Sequence, residues 1–444
     1  MKGGWALLRR RDFGLLWAGG LISETGDWFL LVGLPVWVFQ LTGSSLVTAT
    51  VFLVGLLPGL VVGPLAGVLV DRWDRRRTLV AVSLAQAAFL LPLLAVDGRD
   101  RLWVVYLVMA VEAALGQLND PARNALVPSL VPREDLVGAN ALIGLTSNLA
   151  RLTGSPLGGV LVDLAGLPGL VIGDAVSFLA GAGLLALVGR RTTPSTSGSS
   201  SAGASPAFPG APANAARGAA DPGSARDLLR EWLDGLRVTV RDHGLRWGLV
   251  VDGMAAVAQG IFTVLFVLFV TRELGGDGAQ VGLLRGVQAI GGLGGGVLVV
   301  GLARRLEPGR LLGASLLVFA LVDLAIWNGP LVTTAGWLYL GLFVAAGIPG
   351  VGVMTGLTSL VQERTGEAYL GRVFATYYGG FNGLMALGML AAGLLGDAVG
   401  VVAVLNGQAV LYLAAGVVAL VTIGRRAQPE RYPRTSNRVR IPLA

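Results

Sequence analysis

The feature that most constrains this chain is a series of uncharged apolar runs, each long enough to cross a lipid bilayer. Residues 46–70 contain no Asp, Glu, Lys or Arg, and neither do residues 401–423. At about 1.5 Å per residue, each run exceeds the roughly 30 Å of a hydrocarbon core. The 444 residues are 54% hydrophobic and 14% charged, whereas soluble domains carry about 25% charged residues. We therefore predict an all-α polytopic membrane protein.

Charged and turn-forming residues divide the chain into twelve apolar segments. In lipid each segment must satisfy its own backbone hydrogen bonds, so every segment is predicted to be a transmembrane helix. Arginine is concentrated in alternate loops, and the positive-inside rule predicts that these loops and both termini face the cytoplasm. The expected location is the cell membrane. The segments cover residues 13–40, 45–70, 78–96, 102–120, 136–162, 168–189, 246–271, 279–302, 310–328, 333–357, 371–396 and 401–424.

A stretch rich in Ser, Gly, Ala and Pro separates the first six segments from the last six. It has too few large apolar residues to fold, which predicts a disordered cytoplasmic linker. The residues that follow it have the spacing of an amphipathic helix on the inner membrane surface. Two pseudo-symmetric six-helix halves are therefore expected. The predicted divisions are one half at 1–190, the linker at 191–225, the surface helix at 226–244, the other half at 245–425 and a basic cytoplasmic tail at 426–444.

Glycines form stripes along four of the predicted helices. In the second segment a glycine recurs at every fourth residue, which places these glycines on one helix face. Two interpretations stay open: ordinary tight packing between membrane helices, or a contact face on which one half moves against the other. The stripes are Gly55, Gly59, Gly63 and Gly67, then Gly154 with Gly158, Gly282 with Gly286, and Gly379 with Gly383.

Several ionisable residues lie well inside the predicted spans. An ionised side chain is costly at the bilayer centre unless it is paired, protonated or in contact with water. These residues are therefore candidates for proton coupling or for the lining of a substrate cavity. Glu24 and Asp27 lie three residues apart, an arrangement that suits a group that takes up and releases protons. The full set is Glu24, Asp27, Glu112, Arg151, Asp252 and Arg285.

Counting along the helices places Glu112 and Arg151 at similar depths in the bilayer. Our hypothesis is that Arg151 neutralises Glu112 in one conformation and releases it in another. The alternative is a permanent structural ion pair. For Asp252 the alternative is an ordinary carboxylate at the inner interface, and for Arg285 it is a side chain that extends to the outer surface. The remaining aspartates in or near the spans, interpreted as structural, are Asp163, Asp174 and Asp323.

The remaining composition argues against several other kinds of site. The chain has no cysteine, and its one histidine, His243, falls beside the predicted surface helix. It also lacks a glycine-rich phosphate loop of the ATPase type. We therefore expect neither an enzyme nor a metal site, and no direct ATP coupling. The net charge of +7 is assigned to the membrane surface and not to nucleic acid, because the arginines lie in short loops.

Two motifs in the first half resemble the major facilitator superfamily. The end of the second segment and the loop after it contain Gly67, Asp71 and Arg72, followed by Arg75 and Arg76. This pattern is similar to the signature loop of the superfamily, although Asp74 stands where most members have glycine. Residues 120–128 and 136–142 look like a loop of the drug–proton antiporters that include the macrolide and enterobactin exporters.

Two further motifs extend the resemblance over essentially the whole chain except the linker and the tail. One is similar to the glycine–proline motif of antiporter helix five, with the proline displaced by one position. The other looks like the loop between helices ten and eleven of the same branch. Their residues are Gly154, Pro156, Gly158 and Gly159 for the first, and Gln362, Gly371 and Arg372 for the second.

The resemblance implies a twelve-helix major facilitator fold and an exporter of lipophilic, drug-like or macrolide-like molecules. It implies proton antiport by alternating access, with the proton gradient and no cofactor as the energy source. The expected partners are a small lipophilic substrate and the bilayer, with no nucleic acid, and the expected assembly is a monomer. Alternatives are an exporter of an endogenous metabolite such as a siderophore, an importer, and a non-transporting sensor or scaffold.

The resemblance also implies a cytoplasmic latch at the signature loop. Asp71 would face the N-terminal end of the eleventh span near Gly371 and Arg372. The arginines Arg72, Arg75 and Arg76 would contact acidic groups and lipid headgroups.

Overall fold

The structure, a computed structural model, describes residues 4–189, 225–303, 305–367 and 369–424. The predicted linker at 191–225, apart from its last residue, and the predicted tail at 426–444 lie outside the described residues. The same holds for the surroundings of Gly67 and the side chain of Asp71. The helices are α1 (Arg11–Thr42), α2 (Ser45–Arg72), α3 (Arg75–Leu90), α4 (Leu102–Gly116), α5 (Asn119–Leu130), α6 (Leu136–Ala186), α7 (Ala225–Arg241), α8 (His243–Leu268), α9 (Gly278–Ala303), α10 (Pro308–Asn328), α11 (Gly336–Arg364), α12 (Leu370–Ala398) and α13 (Val401–Val418).

Helix α6 crosses the membrane twice. Its 51 residues would extend about 76 Å, far more than one crossing requires. The helix breaks at Gly166, where φ is 59° and ψ is −151°, a conformation that is essentially restricted to glycine. Pro168 follows in the first turn of the next helical part, where its missing N–H costs little. Residues 136–165 and 167–186 are therefore separate crossings.

With this break, the described residues provide twelve crossings, which confirms the prediction of a twelve-helix fold in two six-helix halves. Helices α1 to α6 form the first half and α8 to α13 the second. Helix α5 is a short segment after the turn that ends α4. Each half has its crossings in the same order, so the first crossing of α6 corresponds to α12, and α2 corresponds to α9. The protein is therefore a multi-pass membrane protein.

The two ends of the helix bundle differ in charge. The end with the loops around Arg75, Arg133 and Arg305 is named here the arginine-rich face. The other end, which carries Arg99 and Arg272 among few others, is named the opposite face. Asp74 accepts a hydrogen bond from the Arg77 backbone N–H at 2.8 Å and so caps α3. This cap gives a physical reason for the aspartate at this position of the loop.

Helix α7 packs against the beginning of α12. Thr239 is fully buried, and Gly235 lies against the backbone of Arg372 and the side chain of Thr376. A larger residue at 235 would collide with the Arg372 carbonyl group. The described part of α7 is therefore held at the arginine-rich end of α12, and Asp242 follows as the N-cap of α8.

The glycine stripes have different partners from one helix to another. Gly282 and Gly286 of α9 contact α6 of the other half, at Ser155 and Pro156. In contrast, Gly59 of α2 faces Gln117 within its own half. Gly154 and Gly158 pack against α1, and a Cβ at Gly383 would meet nothing within 4 Å. The interpretation as a contact face between the halves is therefore supported for α9, and for the stripes in α2, α6 and α12 it stays a prediction.

Candidate functional site

A cavity of about 600 Å³ lies between the two halves. Helices α1 to α6 contribute its first wall, and α8, α9 and α12 contribute the second. Its lining runs from Leu79 and Leu185, near the arginine-rich face, to Pro35 and Val51 deeper in the bundle. Contacts between the halves close the opposite face, so the cavity opens toward the arginine-rich face.

One of these contacts is made by Asp397, which lies near the end of α12. Its carboxylate accepts hydrogen bonds from the backbone N–H of Ser45 at 2.9 Å and from the Ser45 hydroxyl at 2.7 Å. It also pairs with Arg272 at 3.0 Å. Because Ser45 begins α2, the carboxylate stabilises the positive end of that helix. Arg272 completes the contact by donating to the Gly43 carbonyl at 2.8 Å.

Asp163 makes the equivalent contact on the other side of the pseudo-symmetric fold. It lies near the end of the first crossing of α6 and accepts from the backbone N–H of Gly278 at 3.0 Å and of Ala279 at 2.6 Å. Gly278 begins α9, so a carboxylate again caps a helix of the other half. Asp163 and Asp397 are named here the opposite-face latches. The structural role predicted for Asp163 corresponds here to the capping of α9.

The acidic residues of the cavity all come from the first half. They lie on α1, α4, α5 and the second crossing of α6, whereas the second half contributes Gln259, Thr263, two methionines and Arg285. The cavity therefore has one acidic wall and one wall with a single positive charge among its described residues. The acidic lining residues are Glu24, Asp27, Glu112, Asp120 and Asp174.

Glu24 is neutralised by Arg123. The guanidinium group of Arg123 pairs with Glu24 and also with Asp120, the latter at 2.6 Å. The other carboxylate oxygen of Glu24 accepts a hydrogen bond from the Ser147 hydroxyl at 2.8 Å. Glu24 and Asp27 are therefore not equivalent in this conformation. Arg123 lies within the motif at 120–128, but its role in the site could not be predicted from the sequence, because its partner lies 99 residues away in the chain.

Asp27 lies close to Asp174. A Cβ at Gly26 would collide with the side chains of Asp174 and Ser177, so the glycine allows α1 to approach α6 at this level. Asp174 is 1% exposed and receives a hydrogen bond from Ser177 at 3.2 Å. The structural role predicted for Asp174 stays a prediction, and its side chain lines the cavity. The turn at Gly166 sends the chain back into the bundle, which brings Asp174 to the depth of the cavity.

Glu112 lines the same cavity from α4. Its side chain is 8% exposed, and one carboxylate oxygen is buried without a hydrogen-bond partner among the described residues. Arg151 does not line the cavity and forms no ion pair with Glu112 in the described structure. The alternative of a permanent Glu112–Arg151 ion pair is therefore wrong for this conformation. The hypothesis of a transient pair stays a prediction.

The two candidates in the second half have different surroundings. Arg285 lines the cavity and lies over the ring of Phe262, with 5.0 Å between its guanidinium carbon and the ring centroid. It does not extend to the outer surface, so that alternative was wrong. Asp252 is 7% exposed inside the second half and is not among the residues that line the cavity.

The signature loop contacts only the first half through its described side chains. Arg75 donates to the carbonyl of Ala125 at 3.0 Å. Arg76 donates to the carbonyls of Leu185 and Ala186, at the end of α6, where a positive charge is favourable. Arg72 is exposed. The contacts implied for Arg75 and Arg76 with acidic groups are replaced by contacts with backbone carbonyls.

The other two motifs lie at helix contacts. Pro156 and Gly159 meet α9 of the other half, whereas Gly154 and Gly158 meet α1. At the beginning of α12, Arg372 lies 5.5 Å from the ring centroid of Tyr369. Gln362 is exposed at the end of α11, and Gly371 is partly buried in the first turn of α12.

Comparisons with known proteins agree with this architecture. A family profile described as "Transmembrane secretion effector" matches residues 2–200, and one described as "Major Facilitator Superfamily" matches residues 248–444. Macrolide efflux protein A of Streptococcus pyogenes is 25% identical over 399 residues, which cover 88% of this chain and 90% of that protein. The multidrug efflux pump Tap of Mycolicibacterium fortuitum is 32% identical over 164 residues, covering 34% of this chain and 39% of that protein.

Solved structures share the fold. A bacterial homologue of the iron transporter ferroportin, in an inward-facing state, superimposes with a TM-score of 0.66 at 18% identity. The match covers 93% of this chain and 97% of that one. At this identity the likeness extends to the fold alone.

Proposed function

Because the chain belongs to the major facilitator superfamily, whose members are transporters and not enzymes, we propose that it exports lipophilic, drug-like or macrolide-like molecules by proton antiport. The relatives named as macrolide and multidrug efflux proteins support export as the direction. The proposed energy source is the proton gradient, without a cofactor. The proposed setting is the cell membrane, as a monomer, with the arginine-rich face and both termini in the cytoplasm.

The observation that carries the proposal is the acidic wall of the cavity. Asp27, Glu112 and Asp174 line it without an ion-pair partner among the described residues. A volume of about 600 Å³ falls within the roughly 300–1,000 Å³ of small-molecule sites. Leucine and methionine side chains, together with Phe52, make much of the remaining surface, which suits a lipophilic molecule.

The proposed mechanism is competition between a proton and a cationic substrate for the same carboxylates. A cationic group beside Glu112 or Asp27 favours the ionised carboxylate, so substrate binding from the arginine-rich face releases protons. When the opposite-face latches break, the cavity opens outward and protons displace the substrate. The latches supply contacts that exist only while the opposite face is closed, as alternating access requires.

The test uses purified protein in liposomes with an imposed pH gradient. Accumulation of the macrolide erythromycin and of tetraphenylphosphonium, a lipophilic cation, is measured for the wild type, Asp27→Asn and Glu112→Gln. Asp100→Asn and Glu134→Gln, at exposed loop positions, are matched controls. Gradient-driven accumulation that is lost in either cavity variant and kept in both controls supports the proposal. Accumulation that persists in both cavity variants rules out these two carboxylates as the coupling groups. A folded wild type that moves neither compound contradicts the proposed substrate class.

A further inference from the structure

We propose that Arg285 binds an acceptor oxygen of the transported molecule, so that the cavity selects molecules that carry a cationic amine together with a carbonyl or ester oxygen. This inference rests on the proposed function and specifies its substrate chemistry.

Arg285 has no partner of its own in the cavity. It lines the space between the halves and makes neither an ion pair nor a hydrogen bond with any residue that the structure describes. Within a membrane, such a guanidinium group is costly unless water or a ligand satisfies its donors. Its N–H groups therefore have no competing acceptor among the described residues.

Two aromatic rings hold this guanidinium group. Its central carbon lies 5.0 Å from the ring centroid of Phe262 and 5.9 Å from that of Phe266. Contact with ring faces stabilises the cation and restricts its motion. The five N–H donors lie in the plane of the group and point away from a ring beneath it. Arg285 is thus positioned to donate to an oxygen atom at a small entropic cost.

The charges around Arg285 favour an acceptor atom at this wall. The second half contributes no acidic residue to the described lining, and Arg151 adds a positive charge that repels Arg285. The carboxylates Asp27, Glu112 and Asp174 belong to the opposite wall. A molecule with an amine at one end and an oxygen acceptor at the other matches both walls. A lipophilic cation without oxygen matches only the acidic wall.

The experiment compares two probes in the liposome assay. Erythromycin carries a basic amine with ester and ketone oxygens, whereas tetraphenylphosphonium is a cation with no oxygen. The variants are Arg285→Gln and Arg285→Lys, and Arg246→Gln, at an exposed position, is the matched control. Loss of a charged hydrogen bond predicts that Arg285→Gln raises the KM for erythromycin about tenfold. The KM for tetraphenylphosphonium stays within about twofold, because its recognition needs no donor.

Transport of tetraphenylphosphonium by Arg285→Gln shows that the variant is folded. Arg285→Lys is expected to give an intermediate KM for erythromycin, since it keeps the charge and loses the planar set of donors. An equal loss for both probes would assign Arg285 to the transport cycle itself and overturn the inference, while the proposed function stands. An unchanged KM for erythromycin would overturn it as well. A wild type that transports neither probe would refute the proposed function and this inference together.

Discussion

The opposite-face latch at Asp397 allows a quantitative prediction about the conformational equilibrium. The substitution Asp397→Asn removes the negative charge that accepts from Ser45 at 2.9 and 2.7 Å and pairs with Arg272 at 3.0 Å. The contacts with Ser45 join the two halves, so they exist only while the opposite face is closed, whereas Arg272 belongs to the same half as Asp397. Their loss therefore shifts the equilibrium toward the conformation that is open at this face.

The magnitude follows from the contact that crosses between the halves. The side chains of Arg272 and Asp397 are 37% and 41% exposed, and because both lie in the second half, their ion pair is not counted toward the equilibrium. A carboxylate at the N-terminus of a helix of the other half contributes about 0.3–1 kcal/mol. This free energy corresponds to about a twofold to fivefold change in the ratio of the two conformations.

The assay is a distance measurement between two spin labels at the opposite face. The chain has no cysteine, so Gln40→Cys on α1 and Val332→Cys, which follows α10, can be labelled without other changes. Both positions are exposed. Double electron–electron resonance in nanodiscs should show a longer-distance population that grows in Asp397→Asn and in Asp163→Asn. Asp100→Asn is the control. A distance distribution that stays the same in both latch variants would refute this reasoning.

Two further predictions concern packing and charge inside the bundle. Arg123→Gln leaves Glu24 and Asp120 without their shared cation, so the thermal unfolding temperature should fall. Adding Glu24→Gln to this variant should restore part of the unfolding temperature. An unchanged unfolding temperature in Arg123→Gln would contradict the role of Arg123. Gly282→Val should abolish transport in the liposome assay, because even a Cβ at 282 would collide with the Ser155 carbonyl of the other half. Gly296→Val on the same helix should transport normally, because a Cβ at 296 has nothing within 4 Å. Equal transport by the two variants would contradict the close contact of α6 and α9.

The crossings could be predicted from the sequence because burial in lipid constrains each segment separately. Uncharged runs such as 46–70 need no information about their neighbours to be identified as helices. The break at Gly166 also follows local rules, since a glycine and a nearby proline separate two apolar stretches. The twelve-helix architecture therefore depends mainly on local signals.

The composition of the site depends on contacts between residues that are far apart in the chain, and these contacts could not be predicted from the sequence. The pair of Arg123 and Glu24 joins α5 to α1, and neither residue indicates the other. The position of Asp174 beside Asp27 depends on how the second crossing of α6 packs against α1 at Gly26, and the sequence does not show that packing. The glycine stripe of α2 showed which residues share a face, but its spacing did not show which helix lies against that face.

Competition between substrate and protons for the cavity carboxylates requires that binding of a cation releases protons. Purified protein in weakly buffered detergent solution is mixed with tetraphenylphosphonium, which does not itself bind or release protons, and the pH of the solution is recorded. We predict that the wild type releases protons as the cation binds, and that Asp27→Asn or Glu112→Gln reduces this release. Binding of the cation by the wild type without any release of protons would contradict the account.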